Sequence, residues 1–418
     1  MQIAKNVNVE FDEVLPFFKQ SPSDGVEDDS DLTDSNTSFA LPSKSSAEKL
    51  VDSFFNTWHP LFPVLHRPSF QWDFEAGYTE KASQDPAQMA QMWLVLAIAA
   101  KDTVSKVCIS HYHTDIKGSE GPEDHVKFFL RARYFLRQLQ WEPSVHALKA
   151  LILAQIYAFQ EENYDLLWHY KTIAVGWAYQ HGLHRSQKKM KLGPLTTEMR
   201  KRVFWSLYVL DTFSSAIVGL PKMLDDNQID TEFPSDLYHP LFPDLANDRD
   251  DDFVTEMGFL PTPPGNFSMI SAGLALFRVS KILSRLLTQA YSPNRVSLST
   301  LQNLETELND WRNGLPGYLR VDLPNCAPSS TNFHTHAPML LLVHHWIRTL
   351  IHRPVLASTL LKKDETIKAT VSLAESSRAV ITILTTLQEK NISPSICLPQ
   401  DLVLFSACLS VHSSYLPF

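Results

Sequence analysis

Glycine is scarce in this chain, with 13 residues among 418. So few argue against glycine-rich nucleotide loops and against β-rich folds full of tight turns. Cysteine is scarcer. Cys108, Cys326, Cys397 and Cys408 are too scattered for a disulfide framework or a zinc motif, so buried reduced thiols are expected. No apolar run approaches the ~20 residues of a membrane-spanning helix; the best are LVLAIAA and PMLLLV. The opening MQIAKNVNVEFDEV lacks the apolar core of a signal peptide, which points to an intracellular protein that does not engage a membrane. A basic excess is missing as well. The net charge is −9, and residues 1–50 hold ten acidic against four basic side chains. No global positive field draws this chain to nucleic acid.

Signatures of catalysis are also lacking. There is no phosphate loop, serine elbow, HExxH helix or paired-cysteine site. His111 and His113, like His334 and His336, stand two apart, a spacing that converges only on a strand. His344 and His345 are neighbours in an apolar helix and diverge by about 100°. These histidines read as structural or surface groups, and no metal or other cofactor is expected in the chain. The DRDDD run at 248–252 lacks the glycine and terminal glutamate of a calcium loop.

What is present is helical periodicity. SSAEKLVDSFFNTW opens with a serine cap and aligns Leu50, Phe54 and Trp58. Val126, Phe129, Ala132, Leu136 and Leu139 recur at three or four residues, with Lys127, Arg131 and Gln138 facing water. VHALKALILAQIYAF is apolar nearly all round and predicts a central helix. Over 364–389 the expected buried face is Ile367, Val371, Ala374, Ile381, Leu384 and Leu387. The fold class is all-α. Residues 1–47 form an acidic Ser/Asp-rich leader, expected to be mostly disordered. Residues 48–418 form one helical domain, in groups 48–220 and 268–418 joined by a long loop whose 221–267 stretch holds seven prolines.

Polar residues inside apolar stretches are the candidate site. FFNTWHPLFPVLHRPSF at 54–70 mixes prolines, histidines and aromatics. His-Arg recurs at His66–Arg67, His184–Arg185 and His352–Arg353, each time closing an apolar segment. Imidazole and guanidinium suit the orphan carbonyls of helix ends and turns. Asp211 lies in a largely apolar helix and needs a partner if buried, for which one of these arginines is the expected candidate. His66, Arg67, His184, Arg185, Asp211 and Arg353 are therefore read as structural anchors or the lining of an effector pocket. The stretch 185–202 supplies a candidate nuclear-import patch in Lys188, Lys189, Lys191, Arg200, Lys201 and Arg202, with a solvated loop and helix start as the plainer reading.

Taken in order, FFNTWHPLFPVLHRPSF, LLWHYKTIAVGWAYQHGLHRS, EMRKRVFWSLYVLDTFSSAIVGLPKMLDDNQIDTEFP and LIHRPVL resemble the regulatory middle region of fungal zinc-cluster transcription factors. The resemblance covers roughly residues 48–390. It implies an all-helical, non-catalytic regulatory domain of a nuclear regulator of RNA polymerase II-dependent genes, such as a metabolic gene cluster. It also implies co-regulator or transcription-machinery partners, a small-molecule effector, and a homodimer or a heterodimer with a DNA-binding family member. The family's DNA-binding head holds two zinc ions on six cysteines. Here the first cysteine is Cys108, so zinc and direct DNA reading are expected of the family but not of these residues. Two other readings stand beside this one: a helical adaptor without a transcriptional role, and an enzyme using the cleft between the helical groups.

Overall fold

The computed structural model describes residues 41–79, 85–110, 124–139, 143–235, 270–291, 297–321, 336–356, 363–389, 398–399, 401 and 403–408. Among them there is no β-strand. The leader to residue 40, the 236–269 part of the long loop, and His111, His113 and His334 lie outside the described residues.

The first group comprises α1 (Lys44–Thr57), α2 (Arg67–Ala76), α3 (Pro86–Ser110), α4 (Asp124–Gln138), α5 (Val145–Gln160), α6 (Tyr164–Gln180) and α7 (Pro194–Val218). The second comprises α8 (Ser271–Ala290), α9 (Leu298–Asn313), α10 (His336–Leu356) and α11 (Lys363–Glu389). Local chemistry sets several boundaries. Ser43, Ser144, Asn163 and Ser297 cap α1, α5, α6 and α9, each accepting a backbone N–H from the first turn. Pro194 opens α7, and Gly219, at φ +77°, closes it by donating its N–H to Ser215 O. That left-handed residue turns the chain back along the helix it has just left.

Apolar all round, α5 packs against α3, α6 and α7, with every residue from Ala150 to Phe159 buried. From Val203 to Ser215, α7 is buried without interruption. It meets α8, which packs against α9 and α10, and α10 carries α11. A single apolar cluster runs through both groups. The cleft that an enzyme reading requires is thus closed by core where α7 meets α8.

Helix faces differ from expectation in two places. Val126 is 43% exposed, and α4 instead buries His125, Phe128, Phe129, Ala132 and Leu136. Phe129, Ala132, Leu136 and Leu139 are buried as expected, and Phe128, whose ring sits 5.8 Å from Trp93 of α3, joins that face in place of Val126. On α11, Ile367 and Val371 are 49% and 52% exposed, while Ala369, Leu373, Val380 and Ile383 are buried. The sequence there carries two apolar faces, and α10 covers one of them. Cys408 is an exposed free thiol rather than a buried one.

Candidate functional site

The densest polar feature in the core lies between α6 and α7. Lys171 and Asp211 are both fully buried, with Lys171 Nζ 3.0 Å from Asp211 Oδ1. Helical spacing places Asp211, Ser214 and Ser215 on one face of α7. Lys171 Nζ donates to Ser215 Oγ at 2.9 Å and to Ser214 Oγ at 3.1 Å. One turn back on α6, the Trp168 ring lies 4.1 Å from the same ammonium. Burial pushes the Lys171 pKa down from its ordinary value, and the Asp211 carboxylate opposes that shift.

Asp211 looks the other way as well. Its two oxygens accept the N–H of Met223, at 3.1 Å, and of Leu224, at 2.9 Å. The carboxylate therefore ties the chain beyond Gly219 to the helix it came from. The whole stretch 220–235 is tied down in this manner. Asp226 accepts Tyr208 Oη and Lys222 Nζ, each at 2.6 Å, and also the hydroxyl of Ser284 on α8. Burial works against ionisation of Asp226, but the bonds from Lys222, Ser284 and Tyr208 outweigh it and hold the carboxyl below its usual range. Trp205 Nε1 donates to Glu232 O at 2.8 Å, and Glu198 accepts Ser235 N at 3.1 Å. The Glu232 side chain takes Ser186 Oγ at 2.7 Å and Lys188 Nζ at 2.9 Å. Burial opposes ionisation there too, yet these bonds bring its pKa down to about 2.

This arrangement is a lock. Each of these carboxylates already accepts several donors, so none is poised to take a proton from a substrate, and the fully buried Lys171 ammonium is enclosed by its acceptors. The first third of the long loop is thus a pinned strap along α7, with further bonds to Tyr179 of α6 and Ser284 of α8.

The residues singled out in the sequence fall at separate places. Asp211 pairs with Lys171 rather than with an arginine. The packing of α6 on α7 fills its surroundings from within, and the three His-Arg pairs sit elsewhere. Arg67 Nη2 lies 2.7 Å from Asp52 Oδ1, and His66 Nδ1 is 2.8 Å from Ser69 Oγ at the start of α2. The backbone carbonyl of His184 accepts Asp230 N and Thr231 N at 3.1 Å, while Arg185 reaches Asp230 at 3.6 Å and Gln228 O at 3.4 Å. His352 Nε2 is 3.1 Å from Glu305 Oε1, and Arg353 is exposed. Arg185 thus meets one backbone carbonyl, while others are met elsewhere: Arg200 donates to His181 O at 2.7 Å, and Gln187 to Arg185 O at 2.7 Å. Within the basic stretch, Arg202 pairs with Glu198 and both Lys188 and Lys201 converge on Glu232, while Lys191 is exposed. The side chain of Lys189 lies outside the described residues.

Lys171 was legible in principle, being a single lysine in an apolar helix. The other missed residue is His59. It is buried, and its Nε2 is 2.8 Å from Leu65 O, closing the turn that the three prolines shape. His336 on α10 reaches Thr57 O at 2.9 Å in the same turn. His344 and His345 are held neutral mainly by burial, which lowers them to about 3 and about 4. No group of metal-ligating side chains occurs among the described residues. No helix among them is long and apolar enough to cross a membrane.

The turn within 54–70 is thus closed by His59 more than by Arg67. We expect His59→Phe, which keeps the volume but leaves Leu65 O unpaired, to cost about 1–2 kcal/mol. Arg67→Ala should cost no more than about 1 kcal/mol, because its partner Asp52 is 58% exposed. Paired thermal melts check this order, and a larger loss at Arg67 would reverse it.

The sequence profile described as "Fungal specific transcription factor domain" matches residues 51–313. The "Transcriptional activator protein acu-15" of Neurospora crassa is 36% identical over 365 residues, covering 86% of this chain and 36% of that protein. "Activator of stress genes 1" of Saccharomyces cerevisiae is 26% identical over 361 residues, covering 82% of this chain and 36% of that protein. An "ABC-transporter-regulating transcription factor" of Aspergillus fumigatus is 25% identical over 320 residues, covering 75% and 33%. The chain spans about a third of the length of these relatives.

Proposed function

Because the chain belongs to the fungal specific transcription factor domain family, we propose that it is the non-catalytic regulatory body of a nuclear transcription regulator acting on RNA polymerase II-dependent genes. The match over 51–313 carries this reading. The lock between α6 and α7 supports its non-catalytic side, because the buried charges there serve one another and the strap. The body works through what docks on it. Its proposed partners are co-regulator proteins or the transcription machinery, a second copy or a DNA-binding family member, and a small-molecule effector. Base reading and zinc belong, in this proposal, to the family's six-cysteine head and not to the helical body.

A fusion of residues 1–418 to an unrelated DNA-binding head, assayed on a reporter in a fungal host, tests the proposal. Reporter output should change at least severalfold relative to the head alone, in either direction. Output equal to that of the head alone, with the fusion present in the nucleus, would leave an adaptor without a transcriptional role.

A further inference from the structure

A cavity of about 150 Å³ lies between α4, α5 and α6, away from the strap. Arg133 and Arg137 enter it from one face of α4, Tyr170 and Trp177 from one face of α6, and Leu151 and Ile173 contribute to its apolar wall. The two arginines are four residues apart and so stand one above the other. Tyr170 lines the same cavity as both arginines, whose positive charges oppose the larger effect of burial on its phenol. Burial raises that phenol to about 12, so it remains a hydrogen-bond donor at neutral pH. No Asp or Glu is among the lining residues.

These walls ask for two things in one ligand. Donors with positive charge favour an anion, and a planar carboxylate fits the fork of a guanidinium. The apolar walls would leave a second charge unsolvated, which disfavours dicarboxylates and polyphosphates. A cavity of this volume accommodates a body about the size of benzene. We propose that the cavity binds a small monocarboxylic acid whose apolar body fills the space between α4 and α6 and whose carboxylate is held by Arg133, Arg137 and the Tyr170 hydroxyl. The binding chemistry stands independently of the regulatory reading, while the use of such a ligand as an effector rests on it. Helix α6 joins the two features, because Tyr170 in the cavity precedes Lys171 in the lock. An occupant would therefore brace the helix whose next residue holds the strap.

Titration calorimetry on the full chain with benzoate and hexanoate tests the site. One equivalent of each should bind saturably with Kd on the order of 0.1–1 mM. Benzyl alcohol, which keeps the ring and loses the charge, should bind at least about tenfold more weakly, as should inorganic phosphate. Arg133→Ala should weaken benzoate by about tenfold or more, and Ile173→Trp should abolish binding by filling the space. Arg133 is not buried, so its removal leaves the fold standing and keeps the test valid if the tryptophan variant fails to fold. Absence of saturable carboxylate binding would overturn the proposal. So would binding that survives Arg133→Ala, or phosphate binding as tight as benzoate. Benzoate binding with a silent reporter would sink the regulatory reading and leave the site; a responsive reporter with no carboxylate binding would do the reverse.

Discussion

Lys171→Met should lower the unfolding free energy by about 3–5 kcal/mol, because it leaves a buried carboxylate without its cation. Methionine fills much the same volume, so the loss reports charge and hydrogen bonding rather than a cavity. The ammonium is fully buried against Asp211 at 3.0 Å and also serves Ser214 and Ser215, so three acceptors lose a donor together. Asp211 would keep the N–H groups of Met223 and Leu224. Two neutral donors do not replace a full positive charge in a fully buried site. Asp211→Asn in the same chain should recover part of the loss, since an amide carries no charge to strand and its oxygen can still accept from the strap. Chemical denaturation of the single and double variants measures the coupling, expected to exceed about 1 kcal/mol. Amide exchange at Met223 and Leu224 should also rise if the lock holds the strap. A Lys171→Met chain that unfolds within about 1 kcal/mol of the parent would show that the pair contributes little.

Gly273→Ala should destabilise by about 1–3 kcal/mol, although alanine is the better helix former by about 1 kcal/mol. A Cβ at this position would lie 2.8 Å from Pro60 O and 3.0 Å from Leu61 O. Both are backbone atoms, in the turn fixed by His59 and the prolines, and cannot rotate aside as a flexible side chain would. The same residue donates its N–H to Pro60 O at 2.9 Å, so contact and bond would be disturbed together. The sign is the test. A thermal melt showing stabilisation would mean that the turn yields and that the joint between α1 and α8 is soft. A loss would mark this contact as one that sets the spacing of the two helical groups.

Both predictions concern contacts that sequence patterns brush against without specifying. Histidines and prolines mark the stretch 54–70, and the recurrence of His-Arg points to His66 and Arg67 within it. The three pairs occupy a helix start, a turn and a helix end, each with different partners. His59 carries the closing bond, because the turn brings Leu65 O to it across six residues. Asp211 was recognisable as a buried charge in need of a partner, since an isolated carboxylate in an apolar helix demands one. Its partner was not, because Lys171 is 40 residues away and meets it only where α6 packs on α7. Ile367 and Val371 show the same limit from the other side. Periodicity finds an apolar stripe, but a helix with two such stripes has to be packed before one is chosen.

The sequence by itself determined the all-helical class, helices such as α1, α4, α5 and α11, the central place of α5 and the family. Those properties follow from spacing within a few residues along the chain, where 3.6-residue periodicity and end chemistry act locally. Tertiary structure alone decided that the two helical groups share one core, that Lys171 answers Asp211, and that 220–235 is a pinned strap. It alone placed Arg133, Arg137 and Tyr170 around one cavity. Each of these depends on which faces of distant helices meet. That choice is made by the shape and burial of whole helices, and no short stretch of sequence records it.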